Sequence, residues 1–299
     1  MPVITLFTMK NIRYLKITKH HISKLLILFI ATMLLSSCTV KLIYNQLDWL
    51  VPIYVRTYIK LNDEQKDYLS DAIDKHWDWH RKTQLPAYVD YLATIGNRLE
   101  QGFTQEQLVA QNAQLEQFGK TFVLRVAPDV NELLITSSDK QLQKLFKKLN
   151  KDYQTAKKSF EKNDDEAIKK KHLKEMRSYL IKWIGKLNNQ QSELLQAWYE
   201  QYIPIEKEVL QHQLDWQNEF KNILTQPSDK SDKERRLTEL YLNPEQFIYD
   251  EYEKKLDHNT KITEELIVAV SHSLTAKQIK KAQHRLTEFA EDLQDLHRK

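Results

Sequence analysis

Leu61-Asn62-Asp63-Glu64-Gln65 and Leu274-Thr275-Ala276-Lys277-Gln278 share one form: an apolar residue, then Asn or Thr, two spacers, then Gln. The form recurs at Phe103-Thr104-Gln105-Glu106-Gln107, Leu187-Asn188-Asn189-Gln190-Gln191 and Leu242-Asn243-Pro244-Glu245-Gln246, with a degenerate copy at Ser138-Asp139-Lys140-Gln141. Its physics is helix initiation. An Asn, Thr or Ser oxygen at the N-cap accepts from an early backbone N–H, and Gln three residues on reaches back to the N-cap N–H. The residue after the Gln, where an apolar side chain can staple the turn, is apolar at Leu108, Leu142, Phe247 and Ile279 but not at Lys66 or Ser192. Pro244 suits a first helical position. The pattern therefore predicts six marked helix starts, at Asn62, Thr104, Ser138, Asn188, Asn243 and Thr275.

Between these marks the apolar spacing is helical. Leu142, Leu145, Phe146, Leu149, Tyr153, Ala156 and Phe160 step by three and four, as do Ile168, Met176, Tyr179, Leu180, Trp183, Ile184 and Leu187 after a turn near Asn163-Asp164. Leu194, Leu195, Trp198, Tyr202, Val209, Leu210, Trp216, Phe220 and Ile223 form one long face, with a kink expected at Pro204. Leu42, Ile43, Leu47, Leu50, Val51, Tyr54 and Tyr58 make an amphipathic segment in which Pro52 kinks or starts a helix. Only four glycines occur, and no alternating strand of useful length is visible. The expected fold is all-α, an antiparallel multi-helix bundle or helical array of about eight to nine helices. Gln226-Pro227-Ser228-Asp229 is the clearest linker, so the helical body divides into 62–226 and a C-terminal region, 227–299, packing on the first.

The beginning of the chain has another character. Lys10, Arg13, Lys16, Lys19 and Lys24 precede an apolar run, Leu25 to Leu35, with no Asp or Glu before Cys38. Eleven helical residues rise roughly 16 Å, too short for a hydrocarbon core of about 30 Å. This is the build of a signal-peptide core. Leu35-Ser36-Ser37-Cys38 resembles a bacterial lipobox, which implies cleavage between Ser37 and Cys38 and a diacylglycerol and acyl chain on the Cys38 thiol. Residues 1–37 are then a lipoprotein signal peptide, and 38–61 hold the lipidated Cys, a tether and the first amphipathic segment. Met9 serves as a start as well as Met1. Thr39, where Asp would retain such a protein at the inner membrane, points to the outer membrane, facing the periplasm. No other Cys exists to form a disulfide.

The formal net charge of +4 divides unevenly along the chain. The signal carries five of 45 basic residues and none of 41 acidic ones, leaving 40 against 41, or −1, for 38–299. That balance excludes a nucleic-acid partner. No Gly-rich loop is present to cradle a phosphate, and no nucleophile elbow or isolated carboxylate pair stands out. The expected cofactor set is empty apart from the covalent lipid.

Two further resemblances bear on function. The cap pattern is similar to the Leu-Thr-x-x-Gln motif of the Spy/CpxP periplasmic stress proteins, matched to the letter at Leu274–Gln278; it implies a chaperone or stress adaptor. The lipobox, Tyr44-Asn45-Gln46-Leu47-Asp48-Trp49-Leu50, Trp79-His80-Arg81 and Leu85-Pro86-x-Tyr88 together resemble an uncharacterised lipoprotein family of gammaproteobacteria, which implies location and an all-α fold but no activity.

Two candidate sites follow from the residues. His76 and His80 stand four apart on one helical face beside Trp77 and Arg81. Two such imidazoles can hold a metal or line a ligand groove, although Trp77 occupies the place of a zinc protease's Glu and no third ligand is identifiable. The second site is basic: Lys144 to Lys174 carries eleven lysines against five acids. Lys147, Lys148, Lys151, Lys157, Lys158, Lys169, Lys170 and Lys171 offer an anionic contact, to lipid head groups, lipopolysaccharide or peptidoglycan. Three functions stay open: a non-enzymatic binding or scaffold module of the envelope with a protein or glycan partner, a Spy/CpxP-like chaperone, and a metal or ligand protein using His76 and His80.

Overall fold

A computed structural model describes Lys41 and residues 43–298; Ser37, Cys38 and the whole expected signal lie outside the described residues. The chain is all-α, and no strand occurs among the described residues. The helices are α1 (Leu47–Tyr58), α2 (Asp63–Trp79), α3 (Leu85–Arg98), α4 (Gln105–Ile135), α5 (Asp139–Phe160) and α6 (Asp165–Ile184). They continue as α7 (Asn189–Gln201), α8 (Glu206–Thr225), α9 (Lys230–Leu242), α10 (Asp250–His272) and α11 (Ala276–His297). A π turn, His80–Gln84, joins α2 to α3 as one rod, so eleven segments make ten helices among the described residues, not eight to nine. No described helix is long and apolar enough to cross a membrane.

The count rises partly at Pro204. The expected single long helix is two, because the residue before a proline is pushed out of the α region. The chain runs extended between α7 and α8, and Asn259 of α10 takes over the freed backbone groups. Ile203 N–H donates to Asn259 Oδ1 at 3.0 Å, and Asn259 Nδ2 donates to the Ile203 carbonyl at 2.7 Å.

Five predicted starts form complete capping boxes, at Asn62, Thr104, Ser138, Asn188 and Thr275. The start predicted at Asn243 does not. Asn243 is already committed to the end of α9, its N–H bonded to the Glu239 carbonyl at 2.9 Å. With φ −123° and ψ 58° it lacks the extended backbone that the working N-caps adopt. Pro244–Phe247 is a 3-10 turn instead, and α10 begins at Asp250 without a side-chain cap.

The boxes also meet in space. Gln278 Nε2 donates to Gln191 Oε1 at 2.8 Å while Gln191 Nε2 donates to Gln278 Oε1 at 2.9 Å. The same two amides reach the Lys186 and Ser273 carbonyls, each at 3.0 Å. Both glutamines are buried. This pairing locks the start of α7 to the start of α11, helices distant in sequence. Gln141 Nε2 likewise meets Gln65 Oε1 and the Lys60 carbonyl, each at 2.6 Å, tying the start of α5 to that of α2.

Around these pins the apolar faces close. The largest cluster draws Tyr44 and Leu47 together with side chains of α3, α6, α7, α10 and α11, among them Leu85, Met176, Trp198, Leu266 and Leu293. A second joins Tyr58 to Leu142, Leu145 and Leu149 of α5, Phe220 and Ile223 of α8, and Leu237 and Leu240 of α9. α11 packs along α3, and α9 along α4. The turn into α4 needs Gly102, at φ 76°, where an added Cβ would lie 2.5 Å from the His272 ring.

Replacing Gln278 by Ala removes a cap and leaves the buried Gln191 amide and Lys186 carbonyl short of partners. The expected loss is about 2–3 kcal/mol of unfolding free energy, against about 1 kcal/mol or less for Gln107→Ala, whose box pairs with no other. Urea unfolding of both variants checks it, and a Gln191→Ala/Gln278→Ala cycle should be strongly non-additive.

Candidate functional site

The His76–Arg81 stretch lies where α2 gives way to the π turn. Pro86 has no N–H to donate to the Lys82 carbonyl, and its ring would clash with that oxygen in a regular helix. The backbone widens by one residue, and Leu85 N–H bonds to the His80 carbonyl, five back. That shift turns His80 and Gln84 into the interior.

His76 and His80 then face different partners. His76 Nε2 lies 2.7 Å from Asp129 Oδ2 on α4, where Lys75 and Tyr68 also bond the same carboxylate, both at 2.7 Å. Burial alone would raise the Asp129 carboxyl, but the bonds from Lys75, Tyr68 and His76 outweigh it and hold it below its usual range. Burial lowers the His76 imidazole, with Asp129 opposing that shift. Nδ1 of His76 is buried without a hydrogen-bond partner, so among the described residues no hydroxyl or thiol stands there to be activated. The group is a clasp between α2 and α4.

His80 belongs to an aromatic joint. Its Nδ1 lies 2.9 Å from the Tyr44 hydroxyl, and its ring meets Trp77 at 6.0 Å, Tyr88 at 5.5 Å and Phe122 at 6.2 Å. Tyr44 also packs on Trp77 at 4.9 Å, and the Arg81 guanidinium lies 5.5 Å from the Tyr44 ring centre. Arg81 further reaches Asn45 Oδ1 at 3.5 Å, and its carbonyl meets His297 Nδ1 at 2.8 Å. Burial pushes His80 down to about 4, leaving it neutral near pH 7. The cradle formed by Trp77, His80 and Arg81 thus receives the chain's own segment before α1. Among the described residues no three His, Cys, Asp or Glu side chains converge on a common metal position.

The same segment is tied from below. Lys41 bonds Asp295, and its Nζ lies 3.0 Å from Asp292 Oδ1. These contacts, Asp295 foremost, raise the Lys41 ammonium above its usual range.

The basic hairpin is α5 and α6. Its lysines divide by role. Lys148 pairs with Asp152 and lies 4.9 Å from the Tyr58 ring centre, so it is a core cation. Lys157 pairs with Glu161 at the C-cap of α5 and Lys170 with Glu166 on α6, and Lys169 donates to the Glu200 carbonyl at 3.3 Å. Lys171 is half-buried. Lys147, Lys151 and Lys158 are exposed and carry no ion pair among the described residues.

The spacing sets His76 with His80 but does not mark Asp129 or Tyr44 as their partners, nor the π turn. Asp129 lies 53 residues from His76, and no local pattern marks such a bond. Pro86 was the one local signal for the π turn.

A family model described as a family of unknown function (DUF6279) matches residues 57–253, roughly two-thirds of the chain. No curated protein and no solved structure matches it.

The folded His80 titrates well below the unfolded value of about 6.5, so the unfolded chain takes up its proton first as pH falls. Stability from this group is full above about pH 6.5 and falls towards pH 4, by roughly 3 kcal/mol in all. Urea midpoints from pH 7 to pH 4 should fall less steeply for His80→Gln than for the parent. Asp129→Ala should cost about 2–3 kcal/mol at pH 7, since it strands three donors, two of them at least half-buried.

Proposed function

The chain belongs to the DUF6279 family of unknown function, and from there we propose that it is a lipid-anchored envelope protein acting as a non-enzymatic helical scaffold. Lipid on Cys38 would hold it to the periplasmic face of the outer membrane, a reading that rests on the basic start, the short apolar core and the Leu35–Cys38 lipobox. Kinship with lipoproteins of gammaproteobacteria belongs to the same proposal.

The observation that carries the binding role is α4. Of its 31 residues only Ala127 and Asn131 are buried. Val109, Leu124 and Val130 are exposed, and at 100° per residue Leu124 and Val130 lie about 60° to either side of Val109, an arc of about 120°. Asn131 pins the far end, donating to the Glu234 carbonyl at 3.1 Å and to Thr238 Oγ1 at 3.0 Å. Gln105 and Asn112 hold the near end, donating to Glu264 Oε2 at 2.6 Å and Oε1 at 3.1 Å. A long helix held at both ends and left half-covered along its length presents apolar surface on a rigid backbone, which is what a partner helix or strand buries. The site at His76 to Arg81 supports no comparable reading, since the chain itself fills that cradle.

A photocrosslinking residue at Val109 or Leu124, introduced in intact cells, tests the scaffold. One or two discrete envelope partners are expected, and Leu124→Glu should remove them without changing the unfolding midpoint by more than about 0.5 kcal/mol equivalent. A broad set of unfolded envelope proteins would move the function to a Spy/CpxP-like chaperone. No captured protein from either position would remove the scaffold.

A further inference from the structure

The reach of the chain orients the molecule at its anchor. Lys41 is three residue steps from Cys38, a reach of at most about 11 Å. Lys41 is clamped to Asp292 and Asp295, so on the lipoprotein reading the body sits against the bilayer rather than on a stalk. The next helix out is α1. Trp49 is 49 % exposed and Ile53 45 %, one turn apart on the same face, with exposed Arg56 a further turn on. Two large apolar side chains left in water so near a lipid are unusual, and Trp is the side chain most favoured at a membrane interface.

The surface does not stop at α1. Lys144 Nζ donates to the Arg56 carbonyl at 3.4 Å, which brings the end of α1 against α5. From there Lys140, Lys144, Lys147, Lys151 and Lys158 are all exposed. At 100° per residue they lie within about 40° of one direction, along roughly 27 Å of helix. No acidic side chain pairs with any of the five among the described residues, whereas Lys148, turned towards α1, is neutralised by Asp152. A stripe left without counter-charge along its whole length fits an extended anionic surface better than a single small ion.

We infer that Trp49, Ile53 and Arg56 of α1, continued by the lysine stripe of α5, form a second membrane contact that lies on anionic phospholipid. The inference rests on the lipid anchor proposed above for its geometry. The anchor supplies the high effective concentration, so the stripe adds orientation more than affinity. Its lysines meet phosphate head groups at distances where salt screening is felt.

The test uses the lipidated chain in phosphatidylcholine vesicles with and without phosphatidylglycerol, containing brominated lipid as a tryptophan quencher. A quenched share of emission is expected only with phosphatidylglycerol. It should vanish in Trp49→Phe and fall at least about threefold in Lys147→Glu/Lys151→Glu/Lys158→Glu or in high salt. The substituted side chains are exposed, so unchanged circular dichroism melts should accompany these effects. Quenching that persists in Trp49→Phe, or none in any vesicle, overturns the assignment. So does lysine-dependent sedimentation with insoluble peptidoglycan in the absence of quenching, which would make the stripe a glycan contact. The mass of the Cys38 peptide reports on the anchor separately. Were that thiol unmodified, the anchor would fail, and quenching of Trp49 by the unanchored chain on anionic vesicles would still decide the surface.

Discussion

Two buried glutamine amides, Gln191 and Gln278, each donate to the other while each also serves its own helix start. Every polar atom of this pair has a partner, which is the condition under which buried amides rigidify a core instead of weakening it. The consequence reaches far along the chain. Fixing the start of α7 against the start of α11 sets the register in which α11 lies along α3, and that packing puts Leu293 and Leu296 in one core cluster with Tyr44 and Leu85. Gln65 and Gln141 repeat the device at the starts of α2 and α5. A motif that ends disorder at one helix start therefore also chooses that helix's neighbour.

The joint at His80 shows the same economy. One proline forces one widened turn, and the widened turn buries a histidine that Tyr44 then meets. Because His80 is neutral and walled by aromatic rings, its chemistry is that of a hydrogen-bonding core residue. His76, four residues earlier, does a different task by holding α4 through Asp129. The pair that looks like a ligand set in one dimension becomes two separate fastenings, one for α4 and one for the segment before α1.

Function then rests on what the fastenings leave uncovered. α4 is fastened at both ends and half-exposed along its length, while α1 and α5 carry an apolar tip followed by unneutralised lysines. The first suits a protein partner and the second a lipid surface. With the lipid anchor proposed at Cys38, three residues before the clamped Lys41, the body would serve both at once, because short chain geometry would set its orientation to the bilayer.

Helix content, five working capping boxes and the apolar stripes of α5 and α6 were legible in the sequence, because capping and 3.6-residue periodicity are local and act within one turn or a few. The failures came where two local signals competed or where a distant residue decided. Asn243 carries the right motif but already ends α9. Pro204 breaks a face that reads as continuous, and Asn259 makes the break tolerable from 56 residues away. The bond between Gln191 and Gln278, the division of His76 from His80, and the separation of free lysines from paired ones all depend on contacts across long stretches of chain. Sequence by itself determined where five of the helices begin and which faces α5 and α6 bury. Only the tertiary structure decided which helices meet and which charges stay unpaired, since that follows from packing ten helices into one volume.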